Sequence, residues 1–293
     1  MKRSAAFTAL LITLGSCDPA PEIETSPPTG TNAELRIVTL APHLAELVYA
    51  VGAGDMLVGV SSFTDYPEAA LQLPVVSDAF VTDRELLELL RPDVLLAWES
   101  GTPVHVIDDL RAAGFRMEVI RTRHLEDVAS ALLQVGKVTN RMATARTQAQ
   151  AYRDGIAKRR RNHANAPPIR VFYQVSMHPL YTVNADHYIS ELISLCGGSN
   201  IFSDLADLAP MIAVEAVIER DPEALLAADT GQVDTFDEWQ RWPQIAANRY
   251  GNHFLLPASE LGRATPRLLL AADAMCTALD KARQYRDGGA GQR

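Results

Sequence analysis

The sequence predicts an α/β protein of two lobes, each a parallel sheet covered by helices, with one long rigid helix joining them and a ligand cleft between. Three observations carry this. Short continuous apolar runs alternate with amphipathic segments, as strands buried on both faces between crossover helices do. The alternation stops over a polar stretch near the middle and then resumes. About 260 residues remain after an N-terminal leader and tether, too many for one small core and suited to two lobes.

In the first lobe, 35–124, "RIVTLA" (36–41) is a strand, "HLAELVYAVGAG" (43–54) a helix ending in glycine, and "LVGVSS" (57–62) a strand. "DRELLELLR" (83–91) is a helix and "DVLLAW" (93–98) a strand. "PVHVIDDLRAAG" (103–114) and "RMEVIR" (116–121) repeat that pair. From 125 to 165 no proline interrupts before "NAPP" and the polarity rises steadily, which predicts one long helix, with Lys137–Thr139 as the place where it would break. The basic cluster Lys158–Arg161 at its end suits the helix dipole and needs no anionic partner. The second lobe, 166–286, contains strands at 170–175, 224–229 and 252–258 and helices at 188–197, 213–221 and 266–286. Residues 287–293 read as a disordered tail.

The leader explains the first 34 residues. Lys2 and Arg3 precede an apolar run, Ala5 to Leu14, closed by Gly15 and Ser16, the layout of a secretory signal over 1–16. The run is about half the roughly 20 apolar residues a membrane span requires. "LGSC" resembles a bacterial lipoprotein cleavage box, making Cys17 the lipidated first residue of the mature chain, and Asp18 resembles the signal that retains such proteins at the inner membrane. An ordinary signal peptide cut near residue 20 is the other reading. Residues 17–34, rich in proline and acid, read as a tether that reaches about 50 Å at roughly 3.1 Å per residue.

The formal net charge is −9, and two units more acidic once Lys2 and Arg3 are removed, so nucleic acid is not an expected partner. With Cys17 assigned to lipid, Cys196 and Cys276 remain. In an exported protein a disulfide is the default for such a pair, and two buried free thiols are the alternative. No phosphate-binding Gly-Lys-Ser/Thr loop, GxSxG elbow or metal-ligand spacing of histidines is present, so neither a catalytic centre nor a resident metal or cofactor is expected. "VGAGDMLVG" (51–59) follows a helix rather than a strand and reads as a helix terminus.

"RIVTLAPHLAELVYAVGAGDMLVGVSSFTDYPEAA", "RPDVLLAW", "ELISLCGGSNIF" and "ATPRLLLAADAMCTAL" together resemble the periplasmic cobalamin-binding proteins of bacterial ABC importers. These belong to the helical-backbone class of substrate-binding proteins, which also carries haem, ferric siderophores and some metals. The resemblance implies a Cys196–Cys276 disulfide, a periplasmic location, and delivery of a cobalt corrinoid to an ABC permease dimer docked through Glu85 and Glu215. Both acids also suit the first turn of a helix, Glu85 as part of a capping box on Thr82. Positions that flank the ligand in the family match His43, Phe63, Trp98, Tyr181 and Arg263, whereas family aromatics are replaced by Ala79, Val175 and Ala209, with Phe80 able to substitute for one of them. Rigid rings suit a large flat ligand. His43 reads as polar lining or a helix cap before it reads as a metal ligand, and His178 is a weaker second candidate. Haem or a ferric siderophore is the alternative cargo, disfavoured by the scarcity of basic cleft residues. A chelatase-like enzyme using His43 and His178 is the alternative of a different class.

Overall fold

The computed structural model describes residues 35–78 and 81–288. The leader, Cys17, the tether, Phe80, Ala79 and the last five residues lie outside the described residues. Among the described residues no helix is long and apolar enough to cross a membrane.

The first lobe runs β1 (Ile37–Thr39), α1 (Pro42–Ala50), β2 (Leu57–Ser61), β3 (Val75–Ser77), α2 (Arg84–Leu90), β4 (Val94–Trp98), α3 (Val104–Ala112) and β5 (Met117–Ile120). Every pairing is parallel, in the order β3-β2-β1-β4-β5. Val38, Leu95 and Ala97 pack under α2 and α3, while Ile37, Val94 and Leu96 pack under α1. This two-sided burial explains why the strands are apolar throughout. Asp83 is the N-cap of α2, accepting the Leu86 N–H at 2.9 Å, so the cap predicted on Thr82 falls one residue later.

The predicted rod over 125–165 is divided. α4 (Leu125–Val138) and α5 (Met142–Asn162) form an antiparallel hairpin that turns at Asn140, a residue whose amide side chain tolerates its left-handed φ of 56°. Gly136 is required there: a Cβ on it would lie 2.3 Å from the Ala145 Cβ. Glu126 and Arg153 pair across the hairpin. α5 leads into the second lobe and holds it through Arg159–Asp273 and through Leu269, which lies against Gly155, while the start of α4 bonds Glu191 of the second lobe. One hydrophobic cluster runs from Leu44 and Leu132 through Ala149 and Tyr152 to Val171, Leu192 and Leu279. Because that core is continuous across both lobes and the hairpin, parting the lobes would expose packed apolar surface.

The second lobe runs β6 (Ile169–Gln174), α6 (Tyr188–Leu195), β7 (Gly198–Asn200), α7 (Val214–Arg220), β8 (Ala224–Asp229), α8 (Ala246–Tyr250), β9 (His253–Pro257), α9 (Ala258–Leu261) and α10 (Leu268–Asp287). Its sheet is parallel, ordered β7-β6-β8-β9. Cys196 and Cys276 form a disulfide that fastens α10 to the end of α6. Closing a loop of 80 residues contributes about 4.5 kcal/mol in the chain-entropy limit.

The lobes repeat one local device. In the first, the Arg36 N–H donates to the Asp93 carboxylate at 2.7 Å, the Asp93 N–H returns to the Arg36 carbonyl, and the Arg36 guanidinium caps the Leu90 carbonyl. In the second, Arg170 makes the same exchange with Glu223 and caps the Asp221 carbonyl. The helix before each clamp has seven residues and ends in a left-handed residue, Arg91 or Asp221. "RPDVLLA" and "DPEALLA" are the traces of this repeat in the sequence.

Candidate functional site

Open α/β sheets bind ligands beyond the carboxyl ends of their strands. On the first lobe those ends are Thr39, Ser61, Ser77 and Trp98, and beside them lies a cavity of about 140 Å³. Trp98 is seated by its neighbours. A Cβ on Gly101 would come within 1.9 Å of the indole, so only glycine lets the ring lie there, and His43 meets the ring edge-on at 5.0 Å. Phe63 is 82 % exposed and sits at φ 62°, a conformation that disfavours a side chain carrying a Cβ. An apolar ring offered to solvent from a strained turn is poised for contact with something.

His43 lies behind Trp98 rather than on the cleft surface. It is buried, its Nε2 has no partner, and burial, followed by the charge of Arg263, lowers its pKa to about 3. The ring is therefore neutral at ordinary pH. Neither is it the cap of α1, since Ala41 precedes that helix and makes no side-chain cap.

On the second lobe a hollow of about 400 Å³ opens at the ends of β6 and β8, with Gln174, Ser176, His178, Asp234, Asp237 and Glu238 in its wall. His178 pairs with Glu238. Tyr181 is half-buried, and isolated antiparallel bridges pair its backbone with Ser176 and with exposed Met211. Val175 is exposed at the rim.

Arg263, placed at the cleft by the resemblance, belongs to neither of these two cavity walls. It reaches from the second lobe to the first, donating to Asp65, to the Phe63 carbonyl at 2.6 Å and to Glu46 at 3.2 Å. Glu46, with only 3 % of its side chain exposed, also accepts from Arg267 at 3.1 Å and from the Thr265 hydroxyl at 2.8 Å. Arg267 bonds Glu260 and lies 4.3 Å above the Tyr66 ring. The two lobes are thus joined beside the cleft by a buried carboxylate between two guanidiniums, and the strained Phe63 turn is tied into that seam. Sequence reasoning found Arg263 and missed Glu46, Asp65 and Arg267. The available signal was Glu46 itself, a lone acid inside the apolar helix "HLAELVYA".

Glu85 and Glu215 are both exposed, each the second residue of its seven-residue helix, α2 or α7.

A model described as "Periplasmic binding protein" matches residues 37–259. The chain belongs to the periplasmic binding protein family. A vitamin B12-binding protein of Vibrio cholerae serotype O1 is 34 % identical over 245 residues, 83 % of this chain and 88 % of that protein. One of Yersinia pestis is 34 % identical over 243 residues, 82 % and 85 % of the two. The solved periplasmic vitamin B12 binding protein BtuF of Vibrio cholerae superposes with a TM-score of 0.77 at 33 % identity, covering 85 % of this chain and 98 % of that one. A periplasmic haem-binding protein, BhuT, superposes at 0.75 with 23 % identity, which shows the shared fold alone. This periplasmic binding protein therefore shares the two-lobed α/β architecture of the solved vitamin B12 binding protein.

Proposed function

We propose that this periplasmic binding protein captures cobalamin or a related corrinoid between its lobes and delivers it to the permease of an ABC importer. The observation that carries the reading is the ring pair Phe63 and Trp98, one exposed and one held against Gly101, at the carboxyl ends of the first lobe's strands. Rings held this way stack on a flat ligand with little loss of side-chain freedom. The vitamin B12-binding relatives, at about a third identity over most of both chains, support the same cargo.

Haem and ferric siderophores, many of which are anionic, fit less well. Neither wall contains a Lys or Arg among the described residues, whereas Asp78 stands on one side and Asp234, Asp237 and Glu238 on the other, and Arg263 is already engaged by acceptors of the protein. A chelatase-like reading needs two histidines facing the cleft, and His43 is behind Trp98. Docking through Glu85 and Glu215 is supported by their exposure and by their matching places in the repeated helix. Lipidation of Cys17, with tethering to the inner membrane, completes the proposal.

Isothermal titration of the purified chain with cyanocobalamin, haemin and a ferric hydroxamate tests this. One-to-one heat with cyanocobalamin that weakens on Trp98→Ala is the expected result. Heat with haemin or the hydroxamate and none with cyanocobalamin would overturn the cargo.

A further inference from the structure

Four neighbouring strands of the first lobe, in the order β3-β2-β1-β4, each end in a residue with a buried polar atom that has no hydrogen-bond partner: the hydroxyls of Ser77, Ser61 and Thr39 and the indole N–H of Trp98. The Ser62 hydroxyl is a fifth. An unpaired buried polar group costs stability, and native folds keep few of them, so a row along one sheet end asks for a reason. The second lobe shows the contrast. There the last residue of β6, Gln174, has both ends of its amide engaged, donating to the Thr235 carbonyl at 3.0 Å and accepting from the Trp239 indole at 2.6 Å.

Ser61, Ser62, Ser77 and Trp98 all belong to the wall of the 140 Å³ cavity, together with Asp78, whose carboxylate also accepts the Val81 N–H. The volume is well under the roughly 300 Å³ at which pockets begin to hold whole small ligands, so it suits a side arm rather than a ring. Hydroxyls swing between staggered positions and can donate or accept, a carboxylate only accepts, and the Trp98 indole N–H is held away from the cavity by its fixed ring. Among the described residues no Lys or Arg lines the cavity, so an anionic arm would enter beside Asp78 without a counter-charge.

We propose that this cavity is a subsite for a neutral carboxamide arm of the ligand, its carbonyl accepting from the Ser62 or Ser77 hydroxyl once that hydroxyl turns into the cavity and its NH2 donating toward Asp78. The inference rests on the corrinoid reading and deepens it, because corrinoids carry acetamide and propionamide arms around the ring where haem carries propionates. It would make the subsite the place where an amide-bearing macrocycle is told from an acidic one.

The test is titration of the purified full chain with cyanocobalamin, dicyanocobinamide and dicyanocobyrinic acid, whose ring arms are carboxylates. The wild-type chain should bind the two amide-bearing probes and bind the acid at least about tenfold more weakly at neutral pH. The Ser62→Ala/Ser77→Ala double variant should lose roughly tenfold in affinity for cobinamide, while its melting midpoint stays level or rises by about 2–4 °C, since it sheds buried unpaired hydroxyls. Asp78→Asn should narrow the gap between amide and acid probes. A lowered midpoint would make the serines structural and overturn the proposal. So would unchanged cobinamide affinity in the double variant, or equal wild-type binding of amide and acid probes, each of which would leave the carrier role standing. Absence of heat with every corrinoid would instead overturn the cargo, and the subsite with it.

Discussion

Replacing Glu46 by alanine removes the one carboxylate shared by Arg263 and Arg267. In the wild-type protein that group is almost wholly buried and accepts three hydrogen bonds, from Arg263 at 3.2 Å, Arg267 at 3.1 Å and Thr265 at 2.8 Å. Removing one member of a buried ion pair costs about 3–5 kcal/mol, because the partner stays buried without its charge. Both arginines keep other acceptors here, Arg263 with Asp65 and the Phe63 carbonyl and Arg267 with Glu260. The lower end, about 3 kcal/mol, is therefore expected, a fall of roughly 6–12 °C in melting midpoint for a chain of this size. Circular dichroism with the disulfide intact reads it, and urea unfolding gives the free energy directly. Glu46→Gln, which keeps the shape and one acceptor oxygen, should fall between wild type and alanine. Ligand affinity should drop too, since the seam steadies the Phe63 turn. A loss below about 1 kcal/mol for Glu46→Ala would refute the view that this carboxylate holds the lobes together.

Gly101→Ala should displace the Trp98 indole, visible as a change in tryptophan emission with roughly tenfold weaker ligand binding, because the new Cβ would fall 1.9 Å from the ring; unchanged emission and affinity would contradict the seating described. His43 has a native pKa of about 3 against an unfolded value near 6.5, so no penalty exists above pH 6.5, where both states are neutral. As pH falls from 6.5 toward 3 the unfolded state binds a proton the native state refuses, and stability declines by up to about 1.4 kcal/mol per pH unit. His187, lowered to about 4 by burial, adds to this. His43→Leu should flatten the decline between pH 6.5 and 5, as urea titrations at several pH values would show. Glu85→Lys and Glu215→Lys should leave cyanocobalamin titrations unchanged and reduce uptake in cells; unreduced uptake would remove these acids from the docking surface.

The parts of the fold visible in the sequence were those whose pattern is local. The long strands and the helices α1, α3, α6 and α10 declare themselves by apolar runs, amphipathic spacing and terminal glycines. β3 and β7 are three residues each and exist because a neighbouring strand pairs them, which no local pattern encodes. The hairpin reads in the sequence as one helix with a break near Lys137–Thr139, because helical periodicity continues on both sides of its turn. What breaks it is Asn140 in the left-handed region and the fit of Ala145 on Gly136, a contact between two helices. At the site, Phe63 and Trp98 could be placed by resemblance, whereas the Glu46 network spans more than 190 residues of sequence and is created only by folding. The unpaired row at the ends of four strands was likewise invisible, since serine and threonine there look like ordinary turn residues.

The twin clamps, Arg36 with Asp93 and Arg170 with Glu223, give the two lobes a matching local frame. Each lobe offers the outside a short helix of the same length, ended by the same left-handed turn, with an acid at the same step. The inside is not alike: unpaired hydroxyls and an indole N–H lie buried at the strand ends of one lobe, a bonded glutamine and a bank of acids at those of the other. A partner that grips only these two helices would have little means of knowing which end it holds. The cargo would know, and its orientation relative to that partner would be set by how it entered the protein.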